Sequence, residues 1–263
     1  MHLTRLDQYL YDNGFCRSRS LGAKLIRAGF VFVDGRECTK PSEKIDPESN
    51  VEIRENPLTR YVSRGGLKLE TALKEFGIDP RGALCIDIGA STGGFTDCLL
   101  RNGASKVYAV DSGSGQLDPS LLKDARVVNL EKFNARTLSP VTLGVLCEIA
   151  VADLSFISQT YVVSNIASVL TPGGIYVALI KPQFECGRAA LDHRGIVRDK
   201  KMHVGAIRRV AQCCAENGLQ PLSLIVSPIT GGDGNREYLL YCRRSETAYL
   251  SDDFEKQLCE LVK

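Results

Sequence analysis

No run of about 18 consecutive apolar residues occurs in the chain, which argues against an apolar membrane-spanning helix. The N-terminal stretch MHLTRLDQYLYDNGF lacks the apolar core of a secretory signal, so a cytoplasmic location is expected. There is no Cys-x-x-Cys pair, and the histidines stand at no metal-ligand spacing, so no metal is expected. A large excess of one charge is missing too: 33 basic residues face 31 acidic ones, a formal net charge of +2. So even a balance implies no polyanionic partner by itself and shifts attention to local charge. The ten cysteines are many, yet Cys85 and Cys242 lie inside apolar strand patterns. There a thiol acts as a small hydrophobe, and reduced core residues are expected rather than disulfides.

Hydrophobic residues at 44% and charged residues at 24% are ordinary for a globular protein. A length of 263 residues suits one medium domain with a small companion. In the first part, Leu3, Leu6, Tyr9 and Leu10 recur at helical spacing before Gly14, a left-handed stop. Ser18 can cap a second helix carrying Leu21, Leu25 and Ile26, closed by Gly29. FVFVDGREC then reads as a strand with an Asp34-Gly35 tight turn, and VEIRE at 51–55 as another strand. Within residues 1–27, Arg5, Arg17, Arg19, Lys24 and Arg27 face only Asp7 and Asp12. This local positive charge fits contact with RNA phosphates, or a solvated charged face. The expected division is a small α+β domain over 1–59, a linker over 60–65 within a proline-bearing, non-periodic stretch, and a larger domain over 66–263.

The larger domain alternates helix and strand. Helices are predicted near 66–76, 94–101, 158–169, 200–216 and 252–262. Strands are predicted at 84–88, 106–111, 126–130, 147–152, 174–180, 221–227 and 237–242. This pattern predicts an α/β fold, a Rossmann-like sheet of about seven strands, parallel with helices on both faces. Only PITGGDGN separates the last two strands, so those two should pair antiparallel.

After the first of these strands comes Asp87-Ile88-Gly89-Ala90-Ser91-Thr92-Gly93-Gly94. Glycines let the backbone turn sharply beside a ligand, and the next helix offers its positive N-terminus. The spacing is not the G-x-G-x-x-G dinucleotide fingerprint. It is the D-x-G-x-x-x-G-G form common in methyltransferases, which favours S-adenosylmethionine over a nicotinamide dinucleotide. Asp111, ending the next strand, is placed to accept hydrogen bonds from ribose hydroxyls. Glu131 and Asn134 are candidates for the adenine or ribose, with a capping or loop role as the alternative. Phe156 and Phe184 can stack on a base or pack in the core, and Arg194, Arg198 and Lys200 can bind phosphates or decorate a solvated loop.

Longer runs carry a family resemblance. RLDQYL (5–10), RSRSLGAKLI (17–26) and GFVFVDG (29–35) resemble the RNA-binding domain first described in ribosomal protein S-four. SRGGLKLETAL (63–73), DIGASTGGFTDCLL (87–100), YAVDSGSGQL (108–117), VADLSFIS (151–158), IKPQFE (180–185), GIVRD (195–199) and SPITGGDGNREYLL (227–240) resemble the TlyA family, whose catalytic domain is FtsJ-like. Thr92 departs from the pattern, standing where FtsJ-like enzymes often have proline. The resemblance implies a class I methyltransferase that moves a methyl group from S-adenosylmethionine to a cytidine ribose 2′-hydroxyl of ribosomal RNA. It implies a catalytic tetrad of Lys68, Asp153, Lys181 and Glu237, a hinge at 61–63, and ribosomal RNA or ribosomal subunits as partners. Members of the family have also been labelled haemolysins. A membrane-active toxin and a non-catalytic RNA-binding protein are therefore the competing readings.

The chemistry explains why lysines suit such a tetrad. A sulfonium methyl is already activated, so the enzyme must supply proximity, alignment and help with the hydroxyl proton. Lys181 follows VALI, and Asp153 ends IAVAD, both at the carboxyl ends of predicted strands, where α/β sheets carry their sites. Lys181 is thus expected to accept the proton or to stabilise the developing alkoxide. Lys68 is expected to tune it, Asp153 to hold both amines and Glu237 to anchor the far side.

Overall fold

In the computed structural model, which describes residues 3–54, 56, 59–231 and 234–262, the chain divides into two units, Met1–Arg60 and Tyr61–Lys263. In the first unit a bridge strand β1 (Thr4–Arg5) enters helix α1 (Leu6–Asp12), which Gly14 stops at φ +74°. Ser18 caps α2 (Arg19–Arg27), its Oγ accepting the Leu21 N–H at 3.1 Å. Strands β2 (Val31–Val33) and β3 (Arg36–Cys38) form a hairpin whose two-residue turn, Asp34-Gly35, is left-handed at both positions. β4 (Lys44–Ile45) pairs with β1, and β5 (Val51–Ile53) takes the other edge of β2, both antiparallel. Leu6, Leu10, Leu25, Ile26 and Val31 close the core of this unit. Leu3 does not join them. Pairing of Thr4 and Arg5 with β4 delays the helix to Leu6 and leaves Leu3 half exposed. Glu55 of the expected strand and Pro57 of the proline-bearing stretch before the expected linker lie outside the described residues.

The second unit runs α3 (Gly65–Glu75), β6 (Leu84–Ile88), α4 (Gly94–Arg101), β7 (Lys106–Val110), α5 (Pro119–Leu122), β8 (Val127–Leu130), α6 (Pro140–Leu143), β9 (Cys147–Ala152) and α7 (Val163–Val169). It continues through β10 (Leu170–Ile180), α8 (Pro182–Glu185), α9 (Lys200–Glu216), β11 (Leu219–Val226), β12 (Tyr238–Arg244) and α10 (Asp252–Leu261). Seven strands form one sheet in the order β11-β12-β10-β9-β6-β7-β8. The run β10-β9-β6-β7-β8 is parallel, and β12 lies antiparallel between β10 and β11, as the short connection predicted. Alternation along β6 serves both faces: Ile86 and Ile88 pack with α7 and α9, while Cys85 packs with α3 and α4. Strand order reverses beside β6, which opens a crevice at the carboxyl ends of β6 and β9.

Two expectations change here, and three short helices are added. The predicted linker over 60–65 is largely part of the second unit. Tyr61 is buried in its core, the Val62 N–H bonds the Asp97 carboxylate at 2.9 Å, and α3 starts at Gly65. The helix expected over 158–169 is broken, with a single tight turn at Gln159–Tyr161 preceding α7. The four-residue helices α5, α6 and α8, each opened by proline, were not anticipated because one turn leaves no periodicity to read.

Candidate active site

The glycine-rich turn leaves β6 with Gly89 at φ +82°, and a Cβ there would come within 2.6 Å of the Asp153 carbonyl oxygen. Gly94, the first residue of α4, lies against the start of α3; its Cβ would meet Ser63 Oγ at 2.1 Å and the Gly66 nitrogen at 3.0 Å. This close approach of two helix starts brings Lys68, one turn into α3, to the end of β6. Gly89, Ala90, Ser91, Thr92 and Gly94 line the crevice, whereas Gly93 packs against Leu117 and Leu121. Asp87 is fully buried beneath them. Its Oδ2 accepts the Thr96 N–H at 2.9 Å and the Thr96 hydroxyl at 2.7 Å, while Oδ1 has no protein partner among the described residues. Burial pushes its carboxyl up to about 7, with the nearby Asp153 and Asp111 carboxylates adding to the shift.

One part of the crevice is a cavity of about 400 Å³ with apolar walls that include Ile88, Val110, Leu154 and Ile157. Asp111 stands at its edge, accepting the Ser91 N–H at 2.8 Å and the Gly113 N–H at 2.7 Å. Asn134 both lines this cavity and caps the turn at 135–137, its Oδ1 accepting the Arg136 N–H at 3.0 Å. Glu131 is not among the lining residues; it accepts the Gly115 N–H at 2.8 Å and so shapes the loop after β7. Gln116, which the sequence reading passed over, lines the cavity and receives the Ser91 hydroxyl at 3.2 Å.

The other part, about 250 Å³, shares Gly89, Ser91, Asp153 and Ser155 with the first and is lined by Lys68 and Lys181. Lys68 pairs with Glu237 at 2.6 Å, and Lys181 pairs with Asp153 at 2.6 Å. These charges reach one place from four elements. Asp153 and Lys181 follow the parallel strands β9 and β10, and Glu237 immediately precedes β12, whose reversed direction puts its start at the same edge. Glu237, 2% exposed, stands behind Lys68 rather than on the cavity wall. Lys181 also donates to Ser155 Oγ at 2.9 Å, a partner flagged in the sequence only by lying two residues beyond Asp153.

Beside the lysines, Phe156 is 90% exposed at φ +65°, its ring centroid 5.1 Å from that of half-buried Phe184. Core packing is therefore not the role of Phe156. Arg194, Arg198 and Lys200 are all exposed, and Arg198 is held by Asp192 at 2.6 Å. Asn235 is 1% exposed and ties the 195–197 segment down, accepting the Val197 N–H at 3.1 Å and donating to the Gly195 carbonyl at 2.9 Å. In the first unit Arg5 and Arg19 both reach the buried Asp7, at 2.9 and 3.2 Å, and hold its carboxyl below the usual range. Arg17, Lys24 and Arg27 are exposed. Among the described residues no cluster of three metal-ligating side chains occurs, and no helix is long and apolar enough to cross a membrane.

A sheet of this order, with a glycine turn and a buried carboxylate at its reversal point, defines a class I methyltransferase fold. The chain belongs to the FtsJ-like methyltransferase family, whose model matches residues 61–244; residues 4–51 match the S4 domain model. It is 40% identical over 247 residues to the 16S/23S rRNA (cytidine-2′-O)-methyltransferase TlyA of Mycobacterium tuberculosis, covering 94% of this chain and 92% of that one. It is 43% identical over 242 residues to Hemolysin A of Brachyspira hyodysenteriae, covering 90% and 98% of the two chains. A solved structure of a hemolysin-named protein from Streptococcus thermophilus matches with a TM-score of 0.77 and 40% identity, covering 100% of this chain and 95% of that one.

Proposed function

We propose that this chain methylates the 2′-hydroxyl of a cytidine ribose in ribosomal RNA, using S-adenosylmethionine, with the first unit gripping the RNA. The observation that carries the reading is the pair of lysine–carboxylate contacts, Lys68–Glu237 and Lys181–Asp153, gathered at one crevice. A relative named for this reaction, matched along nearly the whole chain, supports the choice of substrate. The crevice suits the cofactor by its chemistry. The apolar walls of the larger cavity accept a purine, the Asp111 carboxylate can take ribose hydroxyls, and the unpartnered Asp87 Oδ1 can take an ammonium. When bound, S-adenosylmethionine supplies a methyl carbon already activated by a sulfonium.

The protein's own residues then have to align and relieve charge. Lys181 is fixed by its ion pair with Asp153 and its bond to Ser155, and its ammonium can still donate to the 2′-oxygen while the C–O bond forms, the sulfonium C–S bond breaks and the hydroxyl proton passes to solvent. Asp153 and Ser155 fix that amine, while Lys68, backed by Glu237, adds positive charge to the same cavity. Phe156 and Phe184 offer a surface on which the target base can stack. With ribosomal RNA as substrate, the work is done in the cytoplasm. The test is transfer of tritiated methyl groups to ribosomal RNA by the purified chain, followed by mapping of ribose methylation. Label found only on bases, or no transfer to RNA or subunits, would refute the proposal.

A further inference from the structure

Lys181 and Phe184 lie on one connecting loop, residues 181–186 after β10, which contains the single turn α8; Asp153, Ser155 and Phe156 lie on another, residues 153–158 after β9. The Lys181–Asp153 pair at 2.6 Å, the Lys181–Ser155 bond at 2.9 Å and the ring pair at 5.1 Å all run between these loops. Their geometry therefore depends on how the loops are joined. A second joint lies deeper. Glu185, at the end of α8, is 5% exposed; its Oε1 accepts the Gln159 N–H at 2.9 Å and its Oε2 accepts the Ser158 hydroxyl at 2.5 Å. Ser158 Oγ in turn accepts the Thr160 N–H at 3.1 Å, capping the turn at 159–161. Gln159, 1% exposed, extends the joint into the sheet: its Nε2 donates to the Leu179 carbonyl at 3.1 Å and its Oε1 accepts the Tyr176 hydroxyl at 2.9 Å.

Burial pushes the Glu185 carboxyl above its usual range, opposed by its bonds to Ser158 and Gln159 and by the nearby Arg209 guanidinium, whose Nη1 donates to the Glu185 carbonyl. Packing alone would be served as well by glutamine. Two donors face this side chain, however, and a glutamine has only one acceptor end. The two carboxylate oxygens meet both donors. We propose that Glu185 is a positioning residue, a clasp that joins the 153–158 and 181–186 loops so that Lys181 and the Phe156–Phe184 rings keep their register. This inference deepens the proposed methyl-transfer reading and rests on it for the meaning of that register.

The full chain is compared with its Glu185→Gln variant and with Ser158→Ala, which removes the Oε2 bond, and the Thr160 cap with it, but leaves the Gln159 N–H bond in place. Hydrogen exchange is expected to rise about tenfold or more at amides in both loops together, since both lose one shared contact. Single-turnover methyl transfer to ribosomal RNA should fall about ten- to a hundredfold, the effect of reacting groups displaced by an ångström or less. The double variant should be no slower than the slower single one, because both changes break one link. Exchange that rises in one loop only or in neither, or rate losses that multiply, would overturn the clasp. If Glu185→Gln does not fold, Ser158→Ala decides by the same two readouts. Should the unaltered chain transfer no methyl group, the functional reading fails, and exchange in the two loops still decides whether Glu185 joins them.

Discussion

The two titrating or charged groups that matter most at the crevice, Asp87 and Lys181, call for different experiments. Asp87 in the folded chain holds its proton up to about pH 7, whereas in an unfolded chain it releases it near its ordinary value of 3.8. Its folded value is raised, so the native state binds the extra proton, and this contribution to stability fades as pH rises from about 4 to about 7. A cation seated on Oδ1 would draw that proton off. Cofactor affinity should therefore strengthen from about pH 5.5 to about pH 7, with a proton released that calorimetry in buffers of different ionisation enthalpy detects. Asp87→Asn should abolish both effects; a flat affinity and no proton release in the unaltered chain would remove Asp87 from the cofactor site. Lys181 is better probed by rate. Lys181→Ala should lower single-turnover transfer by about 10²–10⁴ with cofactor affinity nearly intact. Lys181→Arg should lose about a hundredfold or more, because a planar guanidinium cannot reproduce the compact contacts to Asp153 and Ser155. An arginine variant at nearly full rate would show that positive charge alone suffices. Lys68 is a poorer probe. Breaking its pair with Glu237, 2% exposed, strands a buried charge at about 3–5 kcal/mol, so lost activity and lost folding would be confused.

At the scale of elements, the helix starts α3 and α4 set the position of Lys68 through the contact of Gly94 with Ser63 and Gly66. Gly94→Ala should force them apart, lowering stability by about 1–3 kcal/mol in thermal melts and slowing transfer in the protein that remains folded. An unchanged melt and rate would mean that the contact yields freely. Elements long enough to repeat their pattern were legible in the sequence. The strands of the sheet, the antiparallel pairing of β11 with β12, and the Ser18 cap of α2 all announce themselves through alternation, a short connection or a side chain of the right kind. Single-turn helices and the break at Val162 do not, because one turn carries no period. The crevice was legible in part. Asp153 and Lys181 end apolar strands, and that placement can be read directly; the Lys68–Glu237 contact, 169 residues apart, came only through resemblance. Ser155, Gln116 and Glu185 gave no signal, since a lone serine, glutamine or glutamate gains meaning only from what surrounds it. Glu131, read as a nucleoside candidate from its position after β8, accepts the Gly115 N–H through one oxygen and stands beside Ser91, Asp111 and Gln116.

For the whole molecule, the division of labour between the two units is the testable matter. A fragment of residues 61–263 keeps its own core and should bind S-adenosylmethionine like the full chain while losing most affinity for ribosomal RNA. In the full chain, Arg17→Ala with Lys24→Ala should weaken RNA binding and flatten its salt dependence by about two in the logarithmic slope. Arg5 and Arg19 are less suited to this test, because each also bonds Asp7 and its loss disturbs α1 and α2 themselves. RNA binding by the fragment as tight and as salt-sensitive as that of the full chain would assign recognition to the second unit instead.

The antiparallel insertion of β12 has a consequence in time as well as in space. Lys68 finds its carboxylate partner 169 residues later in the chain, and Glu237 reaches it only when β12 has slotted between β10 and β11. A chain still emerging from the ribosome can order its N-terminal unit and begin β6 to β10, but it holds an unpaired Lys68 until its last strand is made. The contact between Lys68 and Glu237 can thus form only once β12 has been made, after the first unit and β6 to β10 are already available to fold.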